Sequence, residues 1–83
     1  MSIYNLIMRT KEEIGKNVRR IRKEKLGETQ EKFAENIGAS KDTVSNLERG
    51  EFFPSSPVLI NIAVYAKVST DQILGIEEFK DKI

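Results

Sequence analysis

The chain reads as an all-α domain of five helices. Three observations carry that reading: apolar residues recur at helical spacing, helix-start pairs stand before those stripes, and glycines stand after them. No segment alternates apolar and polar residues at period two for long enough to make a strand.

Each element follows from its own residues. Thr10 with Glu13 is a capping-box pair that opens the first helix, and Ile14, Val18 and Ile21 form its apolar stripe. Gly27 ends this helix or its turn. Thr29 is the expected N-cap of a second helix, Gln30 to Ile37, with Phe33, Ala34 and Ile37 on one face. Gly38 breaks that helix, and Ser40 caps a third from Lys41 to about Arg49, stopped by Gly50. Glu51 to Ser56 is a loop containing Pro54. Ser56-Pro57 starts the fourth helix, because proline fits the first helical position. That helix is expected to run to about Ala66 with Leu59, Ile62 and Ala63 facing inward. Ser69 with Gln72 is a second capping box and opens a short fifth helix ending near Gly75. The expected organisation is an N-terminal extension over 1–9, a domain over 10–75 and a tail over 76–83.

Composition narrows the function classes. A chain of 83 residues is one domain by default, with a modest core and marginal stability. Hydrophobic residues at 39% and charged residues at 33% suit a folded domain rather than a disordered chain. There is no cysteine, hence no disulfide and no thiolate metal site. There is no histidine, which removes the commonest general base and zinc ligand. No acidic pair stands in a recognisable catalytic arrangement, so an enzyme is the weakest class and neither metal nor cofactor is expected. No apolar run approaches the roughly 18 residues that span a bilayer, and the N-terminus lacks a signal-peptide pattern. A cytoplasmic protein without a membrane or small-molecule partner is the expectation.

The net charge is only +1, but it is unevenly placed. Residues 9–25 hold eight basic side chains (Arg9, Lys11, Lys16, Arg19, Arg20, Arg22, Lys23, Lys25) against three acids. Residues 28–51 hold three bases and six acids. One end of the domain is basic and the bulk is mildly acidic, which suits either a polyanion contact or a solvated helix face.

The informative segment is QEKFAENIGASKDTVSNLER, Gln30 to Arg49. Two short helices joined by a three- to four-residue turn cross at a steep angle only where the contact is small and the turn tolerates positive φ. Ala34 supplies the first and Gly38 the second. Val44 and Leu47 anchor the second helix of the pair. Its other face carries Lys41, Asp42, Thr43, Ser45 and Asn46, short polar side chains suited to the edges of bases.

With IGKNVRRIRKEK before this segment and LINIAVYAKVSTDQILG after it, the run from Ile14 to Gly75 resembles the Xre-type helix-turn-helix family, which includes Cro and lambda repressor. The resemblance implies a five-helix, lambda repressor-like DNA-binding domain whose helix-turn-helix spans 30–49. It implies that the third helix lies in the major groove of double-stranded DNA, with Lys41, Asp42, Thr43 and Asn46 at base-contacting positions. Lysine donates to guanine, asparagine pairs with adenine and aspartate accepts from cytosine. Gln30 then faces a phosphate, where free N–H groups and the helix dipole favour an anion. Ser45, Arg49 and, on the first helix, Arg19 are the other phosphate candidates. Arg22 and Glu48 resemble the Arg–Glu pair that ties the first helix to the third, a structural role shared with Ala34, Gly38, Val44 and Leu47. Plain alternatives stand beside these roles: Asp42 also complements the helix dipole, and Lys41, Gln30 and Asn46 also fit ordinary surface positions.

The pattern departs from the family in two places. The stretch between Arg22 and Gln30 is one residue longer than the commonest spacing, which would shift the phosphate contact. The loop after Gly50 carries Glu51, Phe52, Phe53 and Pro54 in place of basic residues. Phe52 and Phe53 are expected to pack against the core, with a dimer contact as the alternative for one of them.

The expected partner besides DNA is a second copy, since two-fold dimers match palindromic operators. Ile76, Phe79 and Ile83 are the dimer candidates, with Ile3, Tyr4, Leu6 and Ile7 at the other end; the two apolar ends capping one another within a monomer is the other possibility. The expected function is sequence-specific transcriptional regulation, as a dimeric repressor. The rival class is a protein-interaction module, an antitoxin or a regulator's partner, favoured by the acidic residues Glu28, Glu31 and Glu35.

Overall fold

The computed structural model describes residues 10–76, and among them there are five helices and no strand. Helix α1 (Lys11–Arg20) runs directly into a π-helical turn (Ile21–Leu26). Then come α2 (Gln30–Ile37), α3 (Lys41–Glu48), α4 (Ser56–Ala66) and α5 (Thr70–Leu74). Ile3, Tyr4, Leu6, Ile7 and Arg9 at one end, and Phe79 and Ile83 at the other, lie outside the described residues.

Every helix starts on a side-chain cap. Thr10 Oγ1 accepts from the Glu13 N–H at 3.1 Å while Glu13 accepts from the Thr10 N–H, and Ser69 with Gln72 repeats the device. Thr29 and Ser40 accept from Lys32 and Thr43. The α4 start differs from the expectation by one residue. Ser55 is the cap, accepting from Val58 N–H, and Ser56 opens the helix with Pro57 behind it. Proline tolerates either place because no first-turn N–H has an intrahelical acceptor. At the other end of α3, Arg49 is the C-cap rather than a helical residue.

The longer stretch before Gln30 has a structural counterpart. The Gly27 and Glu28 N–H groups both donate to the Arg22 carbonyl, five and six residues back, and Gly27 closes the turn at φ 64°. A π-turn holds one more residue than an α-turn, so extra length is accommodated without unwinding the helix.

The core is built from Ile14, Val18, Ile21, Phe33, Ala34, Ile37, Val44, Leu47, Ile62, Ala66 and Ile73. Leu59 and Ala63 are half-buried and pack against it. Gly15 is equally buried, because α1 rests there on the end of α3. A Cβ at Gly15 would lie 2.5 Å from the Leu47 carbonyl oxygen and 2.8 Å from that of Glu48. Two asparagines tie distant elements: Asn17 Nδ2 donates to the Ile73 carbonyl and Asn61 Nδ2 to the Ile37 carbonyl, both at 3.0 Å. Phe52 and Phe53 do not join the core; they are 38% and 58% exposed. Gly50 is buried against the Glu12 backbone at the domain's edge, so the loop that follows leaves from the surface.

Tyr65 of α4 donates its phenol proton to the Glu28 carboxylate, and Asn36 Nδ2 donates to Tyr65 Oη at 2.7 Å. The carboxylate that accepts this proton holds the phenol above its ordinary pKa. A raised folded pKa means that the neutral phenol is the favoured form in the native state. Its contribution is therefore present below about pH 10, the usual tyrosine value, and is lost as pH rises through the higher folded value. An absorbance titration is expected to show a late phenolate step that Tyr65→Phe abolishes; if the step removed by that substitution lies at the ordinary pH, the bond to Glu28 does not persist in solution.

Candidate nucleic-acid interface

Helices α2 and α3 meet across a turn made by three residues. Gly38 closes α2 in the left-handed region at φ 72°, and Ala39 N–H donates back to the Ala34 carbonyl at 2.9 Å. Ser40 then starts α3. Ala34 is buried with Val44 and Leu47 where the two helices cross, the small side chain that a steep crossing requires.

The angle is braced by a charged cluster behind the crossing. Arg22 Nε and Nη2 donate to the two Glu48 carboxylate oxygens at 2.6 and 2.9 Å, and Nη1 donates to the Glu28 carbonyl at 2.8 Å. The side chains are only 10% and 4% exposed, so this is a buried bidentate pair. It joins the π-turn that follows α1 to the last residue of α3.

Opposite the buried stripe, Lys41, Asp42, Ser45, Asn46 and Arg49 share one face of α3, since they recur at i, i+1, i+4, i+5 and i+8. Lys41 and Asp42 are exposed, and Lys41 Nζ lies 3.9 Å from Glu31 Oε1, a surface pair worth about 1 kcal/mol or less. Arg49 folds back along the helix: Nη1 donates to Ser45 Oγ at 2.7 Å and Nη2 donates to Asn46 Oδ1. Thr43 stands apart from this face. Its hydroxyl is 2.9 Å from Ser40 Oγ at the cap, and it is half-buried.

Gln30 occupies the first position of α2, but its Nε2 donates to Glu48 Oε1 at 3.0 Å, so the amide leans into the Arg22–Glu48 cluster. On α1 and the π-turn that continues it, Ile14, Gly15, Val18, Ile21 and Arg22 are buried, and Lys16 and Arg20 are exposed on the opposite side. At about 100° per residue, Arg19 falls on the flank beside Gly15 and Arg22, the edge that touches α3. Of the exposed basic side chains on this helix, Lys16, Arg19 and Arg20, Arg19 is therefore placed nearest the α3 side. The acidic residues of the α2 region are partly matched within the domain: Glu28 by Tyr65 and Asn36, Glu35 by Lys32 at 3.8 Å, Glu31 by Lys41. Ile76, a dimer candidate, is 46% exposed.

Sequence reading missed the close approach at Gly15 and the Arg49 contacts. A glycine inside a helix otherwise costs about 1 kcal/mol against alanine, and that was the available signal for Gly15. The Arg49 contacts follow an i, i+3 and i+4 spacing, the ordinary reach along one helix face.

A small-residue crossing, a left-handed glycine turn and a braced second helix with a polar outer face define a DNA-binding regulator of the helix-turn-helix kind. Comparison with known proteins agrees. The family model for helix-turn-helix proteins designated HTH_3 matches residues 18–73, and the chain belongs to that family, the Xre and lambda repressor-like group. Among solved structures, the P22 c2 repressor in complex with a synthetic operator is 28% identical with a TM-score of 0.71, over 77% of this chain and 96% of that one. The clp gene regulator ClgR from Corynebacterium glutamicum is 30% identical with a TM-score of 0.67, over 77% and 82%. The restriction-modification controller protein C.AhdI from Aeromonas hydrophila shares the fold at 22% identity and a TM-score of 0.69, over 76% and 94%. Among curated proteins none matches. No described helix is long and apolar enough to cross a membrane.

Proposed function

We propose that the chain is a sequence-specific regulator of transcription that binds double-stranded DNA as a dimer on a palindromic operator and acts as a repressor. The observation that carries this is the outer face of α3, where Lys41, Asp42, Ser45, Asn46 and Arg49 stand together on a helix held from behind by the buried Arg22–Glu48 pair. The likeness to a repressor bound to its operator supports it. In this reading α3 enters the major groove, Lys41, Asp42 and Asn46 meet base edges, and Thr43 steadies the start of the helix through Ser40. Gln30 at the α2 N-terminus and Arg19 on the flank of α1 border the phosphates, while Arg49, a phosphate candidate in the sequence together with Ser45, is bonded to Ser45 and Asn46 on the α3 face. Two such helices in a two-fold dimer stand about 34–36 Å apart, one turn of DNA. The exposed apolar residues Ile60 and Val64 on α4, with Phe53 and Ile76, are the surface that favours a protein partner of some kind, a second copy first.

Selection from a pool of random duplexes at two salt concentrations tests the reading. A recovered palindrome supports a dimeric regulator. Unselective, salt-labile binding, or none, would move the assignment to a protein-interaction module. On the recovered site, Asn46→Ala is expected to relax preference at one base pair by about 1–3 kcal/mol with the fold retained. Arg19→Ala is expected to weaken all sequences alike and to lower the salt slope by about 0.9, one phosphate's worth of counterion release. Sequence-dependent loss at Arg19 would remove it from the phosphate contacts.

A further inference from the structure

We infer that Arg49 sets the base that Asn46 reads, by fixing which end of the Asn46 amide faces outward. The inference rests on the regulator reading above and specifies the recognition that α3 performs. Asparagine carries a carbonyl oxygen and an NH₂ group that are nearly alike in shape and opposite in hydrogen bonding. Left free, such an amide pairs with adenine through two bonds, accepting from N6–H and donating to N7. Here it is not free. Arg49 Nη2 donates to Asn46 Oδ1 while Nη1 donates to Ser45 Oγ, so one guanidinium grips two neighbouring side chains of the same exposed face. Flipping the amide would place its NH₂ against a guanidinium that has only donors, and that contact is repulsive.

The consequence is a change of code. With Oδ1 held by Arg49, the outward group of Asn46 is the Nδ2 donor. Ser45, already accepting from Arg49, has its own hydroxyl proton left to donate. Donors beside a delocalised positive charge suit a base edge made of acceptors. In the major groove guanine is that base, with N7 and O6 side by side, while adenine offers an N6–H₂ donor to the same place. The structure therefore assigns guanine, rather than adenine, to the base pair under Asn46, with Arg49 as a positioning residue.

Two substitutions test this on the site recovered from the random pool. The relevant base pair is the one whose preference Asn46→Ala flattens, and all four bases are placed there in turn. The parent chain is expected to prefer guanine. Arg49→Met keeps the aliphatic stem without the donors, and Arg49→Lys keeps the charge without the planar fork. Both are expected to shift the preference towards adenine, with the guanine-to-adenine affinity ratio falling about tenfold or more, the range of one bidentate pair. Circular dichroism confirms that the exposed substitutions leave the helices in place. The inference is overturned if the parent prefers adenine there. It is also overturned if Arg49→Lys binds like the parent while Arg49→Met weakens every sequence alike with a smaller salt slope, because Arg49 is then a phosphate contact. A parent chain that selects no sequence at all defeats the regulator reading itself, whereas a selective parent with unchanged preference in both variants defeats only the role of Arg49.

Discussion

Replacing Glu48 by alanine is expected to lower the unfolding free energy by about 3–5 kcal/mol, the loss typical when one partner of a buried ion pair is removed. The size follows from burial: the Arg22 and Glu48 side chains are 10% and 4% exposed. Without Glu48 the guanidinium keeps one acceptor, the Glu28 carbonyl, and stays out of water. Gln30 loses its acceptor in the same step. A domain this small has about 5–10 kcal/mol in total, so the variant sits near the limit of folding. Urea unfolding followed by circular dichroism measures it, with the midpoint falling and the slope unchanged. Replacing both partners together, Arg22→Met with Glu48→Leu, is expected to cost far less, since well-packed apolar residues commonly match a buried pair in stability. A loss near 1 kcal/mol for Glu48→Ala would show the pair behaving as a surface bridge in solution. Because the pair ends on the last residue of α3, the single variant should also weaken DNA binding at temperatures where it is still folded.

Gly15→Ala carries the second large effect, and its sign opposes helix propensity. In an open helix the change stabilises by about 1 kcal/mol. Here the new methyl meets the carbonyl oxygens of Leu47 and Glu48 at 2.5 and 2.8 Å. Both are backbone atoms and cannot turn aside as a side chain would. Parting α1 from α3 also strains the Arg22–Glu48 bonds. The expected net loss is about 3 kcal/mol, at the upper end of overpacking penalties. Lys16→Ala, one residue along on the exposed side, is the control and should stay within about 0.5 kcal/mol. A stable Gly15→Ala protein would mean that α1 and α3 stand farther apart in solution.

Much of the fold was legible because its signals are local. Thr10, Thr29, Ser40 and Ser69 each act on an N–H three residues away, so the sequence alone marks where those helices begin. Ser55 shows the limit, since three neighbouring residues, Ser55, Ser56 and Pro57, all suit a helix start and only the packed structure chooses among them. The stripe of Ile14, Val18 and Ile21 and the pairs Ala34 with Ile37 and Val44 with Leu47 point inward as their spacing requires. Phe52 and Phe53 show the opposite case. Apolar character alone placed them inside, but Gly50 packs against exposed Glu12 and the two rings that follow it stay in solvent.

The site divides in the same way. That α3 would present Lys41, Asp42, Ser45 and Asn46 on one side is a consequence of helical period, and the sequence by itself determined it, together with the helix-turn-helix and its family. Whether Arg22 and Glu48 make a buried pair or a surface one, how closely α1 approaches α3 at Gly15, and that Gln30 leans towards Glu48 were decided only by tertiary structure. These depend on groups far apart in the chain: Arg22 and Glu48 are 26 residues apart, Asn17 and the Ile73 carbonyl 56. Caps and periodicity act within one or two turns and are therefore written locally. Burial of a charge and contact between two backbones depend on which surfaces meet, and that is known only once the helices have packed.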